Sequence, residues 1–168
     1  GYGGTFAIDS PAPYSTVASA LVAELGVSVS RWESMFERGL YARLGMGPGV
    51  FFDRETFGAN RLLRAPEARA GGSAESWPSF LAQAPLSEAA RRDIGRLATE
   101  STDHLPDLDD GAKKARLARM SYADFLVKSA GCHPDVLPFF QARPHSLYGL
   151  RIDAVWALDA WGLGLPGF

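Results

Sequence analysis

Three histidines and one cysteine are the groups in this 168-residue sequence best suited to metal or nucleophilic chemistry. His104, His133 and His145 stand far apart, and no two have the three- or four-residue spacing that sets a pair of imidazoles on one helical face. No metal site is expected. His133-Pro134-Asp135 reads instead as a helix start, with Asp135 in the first turn where negative charge is favourable. Cys132 follows Gly131 at the end of a helical pattern, where a helix C-terminus raises a thiol's pKa; a nucleophilic role needs a base such as His104 or His145 brought to it by the fold. Gly1-Tyr2-Gly3-Gly4 completes neither a Gly-x-Gly-x-x-Gly fingerprint nor a phosphate loop ending in Lys-Ser/Thr. No Gly-x-Ser-x-Gly elbow supports a serine hydrolase. Asp109-Asp110 lie in a polar run, where both carboxylates stay solvated rather than sharing a proton. Motifs alone assign no active site.

The composition is that of an ordinary globular domain, with 46% hydrophobic residues, 21% charged and a formal charge of −2. That balance argues against a polyanion such as nucleic acid as partner. No run approaches the roughly 18 apolar residues of a membrane span, and the opening Gly-Tyr-Gly-Gly-Thr-Phe does not read as a signal peptide. A single cysteine excludes an internal disulfide and a thiolate-rich metal cluster. Residue 1 is glycine and residues 161–168 carry no charge, a pattern that leads us to expect a segment from the interior of a larger protein.

The elements that must position any site are mostly helical. A first helix starts near Ser15 with Val17, Ala18, Leu21, Val22 and Leu25 on one face and Gly26 as its stop. Ser30-Arg31-Trp32-Glu33 has capping-box spacing and predicts a second, with apolar positions Trp32, Met35, Phe36 and Leu40, of which Trp32 and Phe36 face a core, and Gly45 ending it. Val50-Phe51-Phe52 and Thr56-Phe57-Gly58 flank Asp53-Arg54-Glu55 as a short hairpin or turn does. Residues 64–78 read as a surface connection, most flexible at Gly71-Gly72-Ser73. Helices follow over 77–83 and 87–100, the latter with Leu86, Ala89, Ala90, Ile94, Leu97 and Ala98 inward and Glu88, Arg91, Arg92 and Arg96 on the opposite face. Asp109-Asp110 lead into a solvated helix, Ser121-Tyr122-Ala123-Asp124 caps another that stops at Gly131, and Pro134 opens one through Phe140. Residues 144–149 read as an irregular link, after which Asp153 caps a last helix over 154–161, apolar on nearly every side and therefore buried. The expected fold is mainly α with a short β-hairpin, residues 1–168 forming a single helical segment.

Several segments, taken in order, carry a resemblance. Gly3-Gly4-Thr5-Phe6-Ala7-Ile8-Asp9-Ser10-Pro11, the stretch from Gly49-Val50-Phe51-Phe52-Asp53 through Arg54-Glu55-Thr56-Phe57-Gly58, Met120-Ser121-Tyr122-Ala123-Asp124-Phe125-Leu126, Ile152-Asp153-Ala154-Val155 and Leu165-Pro166-Gly167-Phe168 resemble bacterial flavin-dependent amine oxidoreductases of the spermidine dehydrogenase type. The likeness spans nearly the whole chain and lies in segment order rather than in a catalytic signature. It implies a helical, substrate-side piece of a larger α/β flavoprotein. The family's FAD fingerprint and its C-terminal FAD-contacting segment are absent from residues 1–168, so FAD belongs to the parent enzyme and the remainder of that chain is the implied partner. The implied substrate is an amine or polyamine, with this segment shaping the pocket and inactive by itself.

For such a cation, carboxylates and aromatic faces are the complementary groups. The candidates are Tyr148, Asp153 and Trp156, where a glycine-flanked link meets the last helix; the structural alternative makes Asp153 an N-cap and Trp156 core. A rival reading of the whole is a noncatalytic helical protein-binding or scaffold module. A small hydrolase built on Cys132 or a histidine is a third.

Overall fold

A computed structural model of the protein describes residues 14–28, 31, 34, 37, 39–46, 48–66 and 76–168. They fall into two units, Gly1–Gly47 and Pro48–Phe168. The glycine-rich stretch at 1–4, the capping box at 30–33 with Trp32, Met35 and Phe36, and Gly71-Gly72-Ser73 lie outside the described residues.

In the first unit, the Ser15 hydroxyl accepts a hydrogen bond from the Ala18 N–H at 3.2 Å and starts α1, Thr16–Glu24. Gly26 takes φ 68° to close it, and the Val27 N–H returns to the Val22 carbonyl at 3.0 Å. The start, stop and periodicity are as the sequence reads, but the apolar stripe is not core: Val17, Leu21 and Leu25 are all exposed. A second helical turn, α2, spans Leu40–Arg43 and ends at Gly45, φ 67°.

The second unit begins with a hairpin of β1, Gly49–Phe52, and β2, Arg61–Arg64, paired antiparallel from Gly49↔Arg64 to Phe52↔Arg61. The hairpin expected over 50–58 therefore extends further, and Thr56-Phe57-Gly58 is not its second strand. The Asp53 carboxylate accepts from the Thr56 N–H at 2.7 Å and turns the chain into α3, Arg54–Phe57. Asn60 Oδ1 accepts from the Arg54 N–H at 2.9 Å, and Gly58 leaves the turn at φ 78°. An Asp with a free N–H three residues on competes with strand pairing by supplying a local bond.

Helix α4, Ser76–Gln83, packs on α5, Glu88–Thr99. Ala90, Ile94 and Leu97 of α5 are buried as their spacing predicts, and so is Asp93. The polar face is less free than its charges suggest. Arg91 and Arg96 are half-buried and donate to the Ala84 and Ala130 carbonyls at 2.8 and 2.7 Å. Ser87 caps α5 through the Ala90 N–H and donates its own hydroxyl to Asp135 at 2.6 Å. Asp109 caps α6, Asp110–Leu117. Ser121 caps α7, Tyr122–Asp124, which runs on as a π-helical turn, Phe125–Ser129, and stops at Gly131, φ 65°. A 3₁₀ turn, Pro134–Val136, leads into α8, Leu137–Phe140.

Two expectations near the end are corrected. Residues 144–149 hold a helical turn, α9 (His145–Tyr148), closed by Gly149 at φ 63°. The last helix, α10, starts only at Ala157 and runs to Gly162, with Trp156 at its N-cap position, so Asp153 caps nothing there. The cause is tertiary. The Tyr122 N–H donates to the Val155 carbonyl and the Ala157 N–H to the Met120 carbonyl, both at 2.9 Å, which holds 155–156 extended beside Ser121. Nor is α10 buried all round, since Ala157 and Ala160 point inward while Trp156 and Trp161 are exposed.

The chain is mainly α with one two-stranded hairpin among the described residues. Its core is aromatic: Phe52, Tyr122, Phe125 and Phe140 are essentially inaccessible. Tyr122 donates its hydroxyl to the Pro166 carbonyl at 2.7 Å, and the Phe168 ring stacks on Phe125 with centroids 4.3 Å apart. A Cβ on Gly167, φ 105°, would stand 3.2 Å from Phe125 and 3.3 Å from Leu97, so that close approach requires glycine.

Candidate functional site

The second unit opens into a groove of about 1310 Å³. Its walls come from β1 and α3, from α8 with residues 141–143, and from the turn that carries Arg151 and Asp153. Aromatic lining is supplied by Phe51, Phe57, Trp77 and Phe139, and polar groups by Asp53, Thr56, Gln141, Arg143, Arg151 and Asp153. Predominantly apolar walls with a few convergent polar groups are the usual make-up of a small-molecule site.

Each polar group has a structural reason for its place. Ile152 is fully buried and its carbonyl accepts from the Ala123 N–H at 3.0 Å, which pins the 151–154 turn. Arg151 and Asp153, on either side of Ile152, remain exposed and face the groove. The Gln141 amide, oriented so that its oxygen meets the donors around it, accepts from Arg151 Nη2 at 2.8 Å and from Nε. The Arg143 guanidinium lies over the Phe139 ring at 5.5 Å. Asp53 gives one oxygen to its cap, and the Thr56 N–H holds its carboxyl below the usual carboxylate range.

Of the three residues proposed for a cationic substrate, the groove includes Asp153 but neither Tyr148 nor Trp156. Tyr148 ends α9 at 43% exposure, and Trp156 precedes α10 at 53%, so Trp156 is not core either. Sequence reasoning did not single out Asp53, Gln141, Arg143 or Arg151. The one local signal was Arg151-Ile152-Asp153, two opposite charges flanking an apolar anchor.

The remaining reactive groups are held in structural roles. Cys132 is buried, and burial pushes its thiol up, partly offset by Arg96, whose Nη2 lies 3.4 Å from Sγ. His104 meets the Phe125 ring edge-on at 5.9 Å, and burial, with Arg96 nearby, lowers its pKa. No group of three His, Cys, Asp or Glu placed to hold a metal occurs among the described residues. We therefore expect native Cys132 to react with iodoacetamide at pH 7.5 more than about tenfold more slowly than in urea, as its raised pKa and burial require. Equal rates measured by mass spectrometry would contradict that placement.

The two strands among the described residues pair antiparallel, which is not the parallel-strand, glycine-loop and helix-N-terminus arrangement that cradles a dinucleotide pyrophosphate in doubly wound folds. Nor is any helix among the described residues long and apolar enough to cross a membrane. No protein-family model and no curated protein matches the chain.

Proposed function

We propose that this chain forms the substrate side of a flavin-dependent amine oxidoreductase, with FAD held by other segments of the enzyme. The resemblance in segment order supports this reading, and one observation carries it: Asp153 stands at a groove lined by Phe51, Phe57 and Trp77, with no ion-pair partner among the described residues. An ammonium group gains there from the carboxylate and from the aromatic faces. FAD held by the other segments would supply a hydride acceptor, and this chain's part would be to bind the ammonium at Asp153 and to orient the carbon beside it.

The test uses the protein with its native flanking sequence. Visible flavin absorption that bleaches anaerobically on adding a primary amine is expected, with Asp153→Asn raising KM about tenfold, the loss of one charge-assisted contact. A colourless protein of full native mass, or a flavin that no amine bleaches, would overturn the reading. The rival, a noncatalytic binding module, is favoured by the exposed stripe of Val17, Leu21 and Leu25 on α1. It predicts a colourless protein in a stable complex.

A further inference from the structure

We infer that the groove selects a zwitterionic amine, one that carries a carboxylate as well as an ammonium group, and that Arg143 and Arg151 are the specificity-determining residues for that carboxylate. The inference rests on the groove being an amine site and goes further, because a site for a bare polyamine has no use for two guanidinium groups in its walls.

The argument is one of charge left uncompensated. Both arginines line the groove, and each is steered onto it by a neutral partner. Arg151 is held by the Gln141 amide, with Nη2 at 2.8 Å from the oxygen, and Arg143 by the face of Phe139 at 5.5 Å. Neither has a carboxylate within ion-pair distance among the described residues. A neutral partner fixes the position of a guanidinium without cancelling its charge; Gln141 takes the Nε–Nη2 edge of Arg151, so an incoming carboxylate meets its Nη1–Nη2 end and the guanidinium of Arg143, each able to give two parallel bonds.

The opposite charge is present in the same walls. Asp53 spends one oxygen on the Thr56 N–H, whereas Asp153 makes no ion pair among the described residues. Arg151 and Asp153 leave the chain two residues apart, on one turn anchored by buried Ile152. Two cations and two carboxylates that face one groove without pairing to one another complement a ligand with both signs. They repel a polyammonium at the arginines and a simple carboxylic acid at the aspartates.

Putrescine and ornithine provide the test, because they share a four-carbon diamine and differ by one carboxylate. Binding of each to the flavin-loaded full-length protein is measured by calorimetry, and flavin bleaching is followed in parallel. Ornithine is expected to bind at least about tenfold more tightly, and Arg143→Gln and Arg151→Gln are each expected to lower the ornithine-to-putrescine affinity ratio about tenfold. Arg151→Lys should restore part of that ratio, since it keeps charge but not the two-pronged geometry. The wild-type ratio needs no variant to fold. Putrescine binding as tightly as ornithine overturns the inference, and if putrescine also bleaches the flavin the amine oxidoreductase reading survives that failure. Arginine-dependent ornithine binding with no bleaching supports the ligand class and sinks the oxidoreductase reading. Binding of neither amine overturns the inference.

Discussion

Phe52→Ala lowers the unfolding free energy of the second unit by about 3–5 kcal/mol, whereas Phe51→Ala one residue earlier changes it by less than about 0.5 kcal/mol. Both are phenylalanines on β1, and the strand's period of two separates them: Phe52 is fully buried and Phe51 is 61% exposed. The Phe52 ring sits among Phe57, Phe80 and Phe139, with centroids at 5.0, 6.1 and 6.2 Å. These rings belong to α3, α4 and α8, so one side chain ties the hairpin to all three helices. Truncation loses transfer energy and leaves a cavity that three separately anchored elements cannot close. Urea titration of the two variants checks the claim. Equal losses would contradict this division of the strand into a buried and an exposed face, and reversed losses would mean a one-residue slip, which exchanges the two faces.

The same period explains what the sequence discloses and what it hides. Where one residue supplies the whole signal locally, as Ser121 does for the helix it caps, the element is legible and the cap forms as expected; the helix starts expected near Ser15 and Ser87 also hold, each with that serine as its cap. The first strand is legible from Val50-Phe51-Phe52, but its partner is not. Arg61-Leu62-Leu63-Arg64 follows the turn residues Gly58 and Asn60 but shows no apolar alternation of its own, and the Asp53 cap inserts a helical turn between the strands. The late start of α10 was hidden for a different reason, since it depends on backbone bonds to Met120 and Tyr122, more than thirty residues away. Burial is least legible of all. The stripe on α1 has ideal spacing and is exposed, because periodicity states which residues share a face and not what covers it.

The groove was illegible for the same non-local reason. Its walls come from within residues 48–57, 65–66, 137–143 and 151–153, with Trp77 and Ala123, and no spacing rule links them. Asp153 was reached through the chemistry of a cationic substrate, not through its place in a helix cap. Gln141 and Arg151 belong together only because the chain turns at α9 between them.

Asp93 is the other position where a large effect is expected. It lies on α5 in register with Ala90, Ile94 and Leu97, and at 4% exposure its carboxylate needs partners to stay there. One oxygen accepts from the His133 N–H at 2.7 Å and the other from Arg92 Nε at 3.2 Å. The two bonds are unequal in consequence. Arg92 is 70% exposed, so water replaces its guanidinium readily, and Arg92→Ala should move stability by less than about 0.5 kcal/mol. The bond to His133 fastens the chain just ahead of the 3₁₀ turn, beside the Ser87–Asp135 contact. Asp93→Ala should therefore cost about 2–3 kcal/mol, the range for a charge-assisted bond whose donor loses its partner, and Asp93→Asn should recover about half because an acceptor remains. Cys132 and α8 adjoin this fastening on either side, which links stability to the groove. In Asp93→Ala, amide exchange at 133–136 should quicken and Cys132 should become open to alkylation. Leu137 and Phe139 should also hold the Arg143 side of the groove less firmly. A variant that lost stability while keeping exchange and thiol protection at native levels would show that Asp93 acts through α5 alone, and not by fastening the turn that leads into the groove.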